Sequence, residues 1–297
     1  MKIGLALSGG GAKGMAHIGV IEALKDYGIN IDYIAGTSSG SIVASLYASG
    51  YTPKEILDLV NQNKNKIVDL DKKIGFKLIG SLLKQKISIK GFVKGNNLEK
   101  LLRRTLKEKC VQDISDVKMP LAVPVVDLET GEIVYYWNKN SRMSVIEDSQ
   151  LYDDEPSYIE KGELASIVRA SCSVPGVFVP KIIGDKYYID GGVRVNTPVE
   201  VLRKMGADKV IAVTFDCNKN SGFGLQNVIG ISTQAFNIMS HDSNFDEVKT
   251  ADVNIRLCLN NVSLLDLSNA TNVARRGYNI VARNIDKIYK KLEKTDG

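Results

Sequence analysis

The sequence predicts an α/β protein, three layers deep, with a mostly parallel central sheet between helices. Three observations predict it. Short apolar runs ending in glycine alternate with segments of helical periodicity from the first residues onward. The connections between them are short, as parallel strands joined by covering helices require. A later run, "DKVIAVTF" at 208–215, is apolar almost throughout, which suits a strand buried on both faces.

Taken in order, "KIGLALSGGG" reads as a buried strand entering a tight turn. In "AKGMAHIGVIEALKDYGI" the residues His17, Val20, Ile21 and Leu24 share one helical face, and Gly28 stops the helix. "DYIAG" is a second strand and "SSGSIVASLYASG" a second helix. A short helix follows Pro53, and another covers Asn97 to Lys109. "PLAVPVVDLETGEIVYYWN" reads as two strands about the turn Glu129–Glu132. Residues 138–162 are polar and acidic and are expected to form a surface loop. "ELASIVRASCSVPGVFVP" is a helix broken before Pro175; "KYYIDGGV" is a strand into a Gly-Gly turn; "TPVEVLRKMG" is a helix. Beyond Gly222 the chain is mostly helical, apart from a strand near "ADVNIRLCL". No internal repeat or low-complexity linker interrupts the 297 residues, so one domain spanning 1–297 is expected.

Composition narrows the function. With 44% hydrophobic and 25% charged residues the chain reads as an ordinary soluble globular protein. A net charge of +5 does not argue for nucleic acid. The four cysteines are far apart and only two histidines occur, which argues against a thiolate or histidine metal site and suits a reducing compartment. Tyr33 to Pro53 is uncharged but too rich in Gly, Ser and Thr to span a membrane. The apolar run at the start is too short for a secretory signal. The cytoplasm is the expected location.

Charge is unevenly distributed. From Gln62 to Lys94 nine lysines face two aspartates, a local charge of +7, with Ile74, Phe76, Leu78, Ile79, Leu82 and Leu83 interleaved. One reading is a solvated surface helix. The other is a lid-like insertion, residues 62–94, that makes peripheral contact with an anionic membrane surface.

Three motifs carry chemistry. Gly36-Thr37-Ser38-Ser39-Gly40 fits G-x-S-x-G between a strand and a helix, the context in which a strained turn projects a serine hydroxyl above the strand ends. Ser38 is the central serine; Ser39 and Ser41 fall in the first helical turn. A capped helix start explains the same residues without chemistry. Ser8-Gly9-Gly10-Gly11-Ala12-Lys13-Gly14 is a glycine-rich strand-to-helix turn. A dinucleotide site would need an acidic residue at the end of the second strand, where Ala35, Gly36 and Thr37 stand, while Asp32 precedes that strand. Glycine amides aimed at an oxyanion, with Lys13 adding positive charge, is the alternative, and a plain tight turn is the third. Asp190-Gly191-Gly192 places an acid at a strand exit, which is also an ordinary Asp-Gly turn. Histidine is a poor candidate for a base: His17 sits on an apolar helix face, and nothing ties His241 to Ser38. A partly desolvated carboxylate is the remaining choice.

"GGGAKG", "GTSSG" and "DGG", in that order, resemble the patatin-like phospholipases, lipid acyl hydrolases that use a Ser-Asp dyad and no histidine. "DLETGEIVYYW", "VRASCSVPGVFVP", "YYIDGGVRVNTPVEVLRKMGAD" and "ARRGYNIVA" are similar to further blocks of that family, so the resemblance runs from about Lys2 to Ala282. It implies a patatin-like fold. Ser38 would be the nucleophile, Asp190 its partner, and Gly9, Gly10 and Gly11 the oxyanion hole, with Lys13 supporting. The substrate would be a lipid ester, with no cofactor and no metal. An acyltransferase using the same dyad, or a catalytically idle lipid-binding module, are the rivals.

Overall fold

A computed structural model describes residues 1–67, 69, 91–138, 156–215, 228–259, 262 and 265–294. Most of the basic stretch 62–94 and of the acidic segment 138–162 therefore lies outside the described residues, and with it the lid-like reading.

The described strands are β1 Ile3–Leu7, β2 Tyr33–Gly36, β3 Leu121–Asp127, β4 Ile133–Trp137, β5 Ser157–Ile159, β6 Lys181–Ile183, β7 Lys186–Asp190, β8 Lys209–Phe215 and β9 Val253–Leu257. The helices are α1 Met15–Asp26, α2 Ser39–Ala48, α3 Pro53–Asn63, α4 Asn96–Glu108, α5 Leu164–Ser171, α6 Val199–Lys204, α7 Val228–Lys249 and α8 Ala270–Leu292. One sheet runs in the order β5-β4-β3-β2-β1-β8-β9, with β7 pairing β3 and β6. The pairs β1–β2, β2–β3, β4–β5, β1–β8 and β8–β9 are parallel; β3–β4, β3–β7 and β6–β7 are antiparallel.

Alternation along the strands sets the layers. Leu5, Leu7, Ile34, Ile211 and Val213 enter the larger core with α1, α2, α4 and α8. Their neighbours Ala6, Ala35 and Ala212 enter a thinner core against Val199, Val201 and Leu202 of α6. Small side chains on that face let a two-turn helix lie close to the sheet. The sheet is thus mixed, mostly parallel and covered by helices on both faces, as the sequence predicts.

Two strands escaped sequence reading. β5 lies inside the segment expected to be a loop; its three residues add to the edge strand β4 with too little periodicity to notice. β6 forms a hairpin with β7 through Gly184 (φ 64°) and Asp185, pairing Ile183 with Lys186. That Gly-Asp signal was legible.

The crossing of α1 and α8 depends on two glycines. A Cβ on Gly19 would collide with the Ala274 carbonyl, and one on Gly277 with the Ala16 carbonyl. Helix propensity alone favours alanine over glycine by about 1 kcal/mol. Gly19→Ala is nevertheless expected to destabilise the protein by about 2 kcal/mol in urea unfolding, because neither backbone can yield. A stabilised variant would mean that the helices are spaced more widely than this.

Candidate active site

The strand order reverses direction at β1: the chain moves from β1 through β2 to β3 on one side, and β8 lies on the other. Crevices form outside the carboxyl ends of strands at such a point. The glycine-rich turn leaves β1 there, and the G-x-S-x-G turn leaves β2 beside it. Asp32 lies at the opposite edge, where its carboxylate accepts the Ile3 N–H at 2.8 Å.

Ser38 has φ 52° and ψ −123°, a conformation that side-chain-bearing residues rarely adopt. Its neighbours hold it there. The Ser38 N–H donates to Ser171 Oγ at 3.0 Å, and the Ser41 hydroxyl donates to the Ser38 carbonyl at 2.6 Å. A side chain on Gly40 would meet the Ser8 carbonyl at 2.7 Å, so only glycine lets α2 start directly beneath β1. Ser41 therefore fastens the turn rather than capping the helix. The Ser39 hydroxyl is buried and has no hydrogen-bond partner among the described residues.

The sheet brings Asp190 to the same place. β2 pairs with β3 only at Leu121 and Ala122, and β7 takes over that edge of β3 from Val125 onward, running antiparallel. Asp190 pairs with Val125, so the end of β7 faces the end of β2. Its carboxyl is fully buried. Oδ1 accepts the Gly192 N–H at 2.8 Å; among the described residues none makes a full hydrogen bond to Oδ2, although the Ser38 hydroxyl stands close enough to act on the carboxyl. Burial pushes its pKa up to about 7, against the opposing pull of the Gly192 amide and the Ser38 hydroxyl.

The three expected donors behave differently. The Gly9 N–H is committed to Asn196, to its backbone oxygen at 3.2 Å and its Oδ1 at 3.1 Å. No acceptor among the described residues takes the Gly10 or Gly11 N–H. An oxyanion site at this turn is thus narrowed to Gly10 and Gly11, with Gly9 holding the loop in place. A Cβ on Gly9 would stand 3.0 Å from Ser38 Cβ, so the loop and the serine are in contact. Lys13 is half-buried in the short 3-10 turn Gly11–Gly14.

Ser38 and Gly11 open onto a cleft of about 100 Å³, walled by apolar side chains including Met15, Ile42, Leu102, Val174 and Phe178. The Ser38 hydroxyl and Gly11 thus stand at one end of an apolar cleft, with Gly10 next in the turn and the Asp190 carboxyl, which burial leaves able to take a proton near neutral pH, enclosed beside the serine. Such a set can support acyl transfer through serine.

Other candidates are placed elsewhere. His17 is fully buried, its Nε2 donating to the Ser8 carbonyl at 2.8 Å and its ring against Phe215. Burial lowers its pKa to about 4, so it is neutral at physiological pH and serves the loop as a core residue. The side chain of His241 lies outside the described part of the structure. Burial, reinforced by the charge of Asp190, pushes the Cys172 thiol up to about 12, which leaves it a neutral wall of the cleft. Among the described residues no three metal-ligating side chains cluster.

Sequence reasoning missed Ser171, Asn196 and Arg169. Ser171 fixes the Ser38 amide, and two residues on the Ser173 carbonyl accepts the Asp190 N–H at 3.1 Å. Behind them Arg169 donates to Ser173 Oγ at 2.6 Å. The available signal was an arginine amid the apolar run "ASIVRASC".

The patatin-like phospholipase family model matches residues 5–203. The chain belongs to this family of lipid hydrolases. Among relatives of this patatin-like chain, the uncharacterised protein YqhO of Bacillus subtilis is 33% identical over 222 residues, 72% of this chain and 71% of YqhO. Lysophospholipase NTE1 of Saccharomyces cerevisiae is 27% identical over 211 residues, 71% of this chain but 10% of that protein. An uncharacterised NTE family protein of Mycobacterium tuberculosis is 26% identical, with 49% of its length covered. The fold is shared with VipD from Legionella pneumophila, at TM-score 0.51 and 17% identity, over 96% of this chain and 67% of VipD. ExoU of Pseudomonas aeruginosa, solved with SpcU, matches at TM-score 0.50 and 15% identity over 99% of this chain and 53% of that one.

Proposed function

We propose that this protein hydrolyses fatty-acyl esters of lipids through an acyl-Ser38 intermediate. The observation that carries the reading is Ser38 itself: a serine held at φ 52° on a strand-to-helix turn, at the end of an apolar cleft and beside a buried carboxyl. Asp190 takes the hydroxyl proton as Ser38 Oγ attacks the acyl carbonyl. Its raised pKa, about 7, makes it a better base than an ordinary aspartate. The Gly10 and Gly11 amides stabilise the oxyanion, helped by the amino end of α2. The tetrahedral intermediate collapses, the alcohol leaves with the proton from Asp190, and water, activated by the same carboxylate, releases the fatty acid. The lysophospholipase name of the yeast relative supports a phospholipid or lysophospholipid as the ester.

A fluorophosphonate tests this directly. One equivalent is expected to add, and peptide mapping is expected to place it on Ser38, with loss of short-chain nitrophenyl ester hydrolysis in proportion. Modification elsewhere, or activity that survives full labelling of Ser38, would overturn the reading.

A further inference from the structure

Between Ile231 and Met239 the outer side of α7 carries apolar side chains where solvent should favour polar groups. Phe236 and Ser240 point inward: Phe236 packs with Val174 and Phe178, and the Ser240 hydroxyl donates to the Gly192 carbonyl at 2.7 Å. On the opposite side Ile231, Ile238 and Met239 are 54%, 55% and 49% exposed, with exposed Ala235 between them. Spacings of four, seven and eight residues from Ile231 form one continuous stripe on the helix. No helix among the described residues is long and apolar enough to cross a membrane, so the stripe is not part of a span.

The helix that carries the stripe braces the cleft. Val174, Phe178 and Leu265, which pack around Phe236, are also cleft walls, so α7 forms the outer support of that wall. Leu98, Leu101 and Leu102 of α4 line the cleft too. Beyond them lies a groove that shares Ile67 and Leu101 with the cleft and is lined by Lys66, Lys100 and Arg104. No acidic side chain among the described residues lines this groove. The nearby Asp69 carboxylate is spent on the Gly95 and Asn96 amides, and Arg103, on the same helix, pairs with Glu99 and Glu163. The cleft is therefore flanked by a helix with an exposed apolar outer side and by a groove whose described lining carries three cations and no acidic side chain.

We infer that the α7 stripe and the cationic groove together dock on an anionic bilayer: Ile231, Ile238 and Met239 enter the acyl boundary while Lys66, Lys100 and Arg104 meet lipid phosphates. Apolar insertion beside a basic rim is the chemistry of interfacial binding, and each side chain set needs the other for useful affinity. A second copy of the chain would cover the apolar stripe but would leave the cationic groove without a role. The inference rests on the lipid-ester reading only in treating the bilayer as the source of substrate.

The test uses the full chain carrying Ser38→Ala, so that turnover does not alter the vesicles. Partitioning is measured on phosphatidylcholine vesicles with and without phosphatidylglycerol. Ile238→Ser/Met239→Ser is expected to lower partitioning about tenfold on both compositions. Lys100→Gln/Arg104→Gln is expected to lower it by about thirtyfold at most, and only where phosphatidylglycerol is present, an effect that high salt should reproduce. On a Ser38 background, neither double variant should change hydrolysis of a soluble short-chain ester. Vesicle binding unchanged in both would overturn the inference, as would a wild-type dimer that Ile238→Ser/Met239→Ser converts to monomer. Loss of ester hydrolysis in every protein, with vesicle binding as expected, would overturn the proposed chemistry and leave the docking surface standing.

Discussion

Asp190→Asn is expected to lower kcat/KM on a soluble nitrophenyl ester by about a thousandfold, in the range that a lost general base costs, while making the folded protein more stable at pH 8. The variant keeps the shape of the side chain and its acceptor for the Gly192 N–H, so folding contacts survive. What it loses is the ability to take the Ser38 proton. The stability effect follows from linkage. Burial raises the Asp190 pKa to about 7 in the folded chain, against an ordinary value of 3.8. Between those values the folded state holds a proton that the unfolded chain has released, so wild-type stability falls as pH rises through that window and levels off above it. Asparagine carries no such penalty. The full shift corresponds to roughly 4 kcal/mol, and a gain of about 2–4 kcal/mol is expected at pH 8 and much less at pH 4. Glu247, which burial also pushes up, to about 8, is present in both proteins and cancels in the comparison. The wild-type kcat/KM should rise with pH around a midpoint near 7, because the carboxylate is the active form. Urea unfolding at pH 4 and 8 and a pH–rate profile check all three expectations. A stability difference independent of pH would show that Asp190 titrates as an ordinary aspartate. Ser38→Ala should match the loss of activity without the pH-dependent gain.

Arg169→Met is expected to cost the protein more stability than either change at the dyad. The side chain is only 2% exposed. Its guanidinium donates to Ser173 Oγ, to the Lys94 carbonyl at 2.7 Å and to the Val179 carbonyl at 2.8 Å, and it stacks over Phe178. Gly95 (φ 71°) makes room for it, since a Cβ there would collide with the guanidinium. Methionine fills much of the volume but abandons one buried and two part-buried acceptors, at about 1 kcal/mol each. A loss of about 3 kcal/mol is expected. Arg169→Lys should recover little of it, because an ammonium cannot reproduce the planar fork. Arg169 is a positioning residue: it sets Ser173, whose carbonyl holds the Asp190 amide, while Ser171 in the same segment holds Ser38. kcat and the rate of fluorophosphonate labelling should therefore fall about tenfold with KM little changed. Stability within 1 kcal/mol of wild type would mean that the three acceptors find water instead.

Much of this architecture was legible before the fold. "GLALSGGG" and "YIAGTSSG" announce strands that end in turns, because apolar runs and glycines act over a few residues. The structure places β1, β2, α1 and α2 where those runs predict. Gly36, Ser38 and Gly40 were readable as a strained turn for the same local reason. His17 was readable as a core residue from its helical face. β5 was not legible, because its three residues become a strand only by adding to β4.

The site divides along the same line. The sequence by itself determined which serine could stand on a strained turn, that glycines surround it, and that His17 belongs to the core. Only the tertiary structure decided that Asp190 is buried enough to titrate near 7, that the Gly9 amide is taken, and that Ser171 and Arg169 brace the site. Steric rules for a turn act between adjacent residues and leave their mark in a short motif. Burial and hydrogen-bond choice join partners far apart in the chain, such as Ser38 with Ser171, 133 residues apart, and Gly9 with Asn196, 187 apart. They exist only once the sheet has brought the ends of β1, β2 and β7 together.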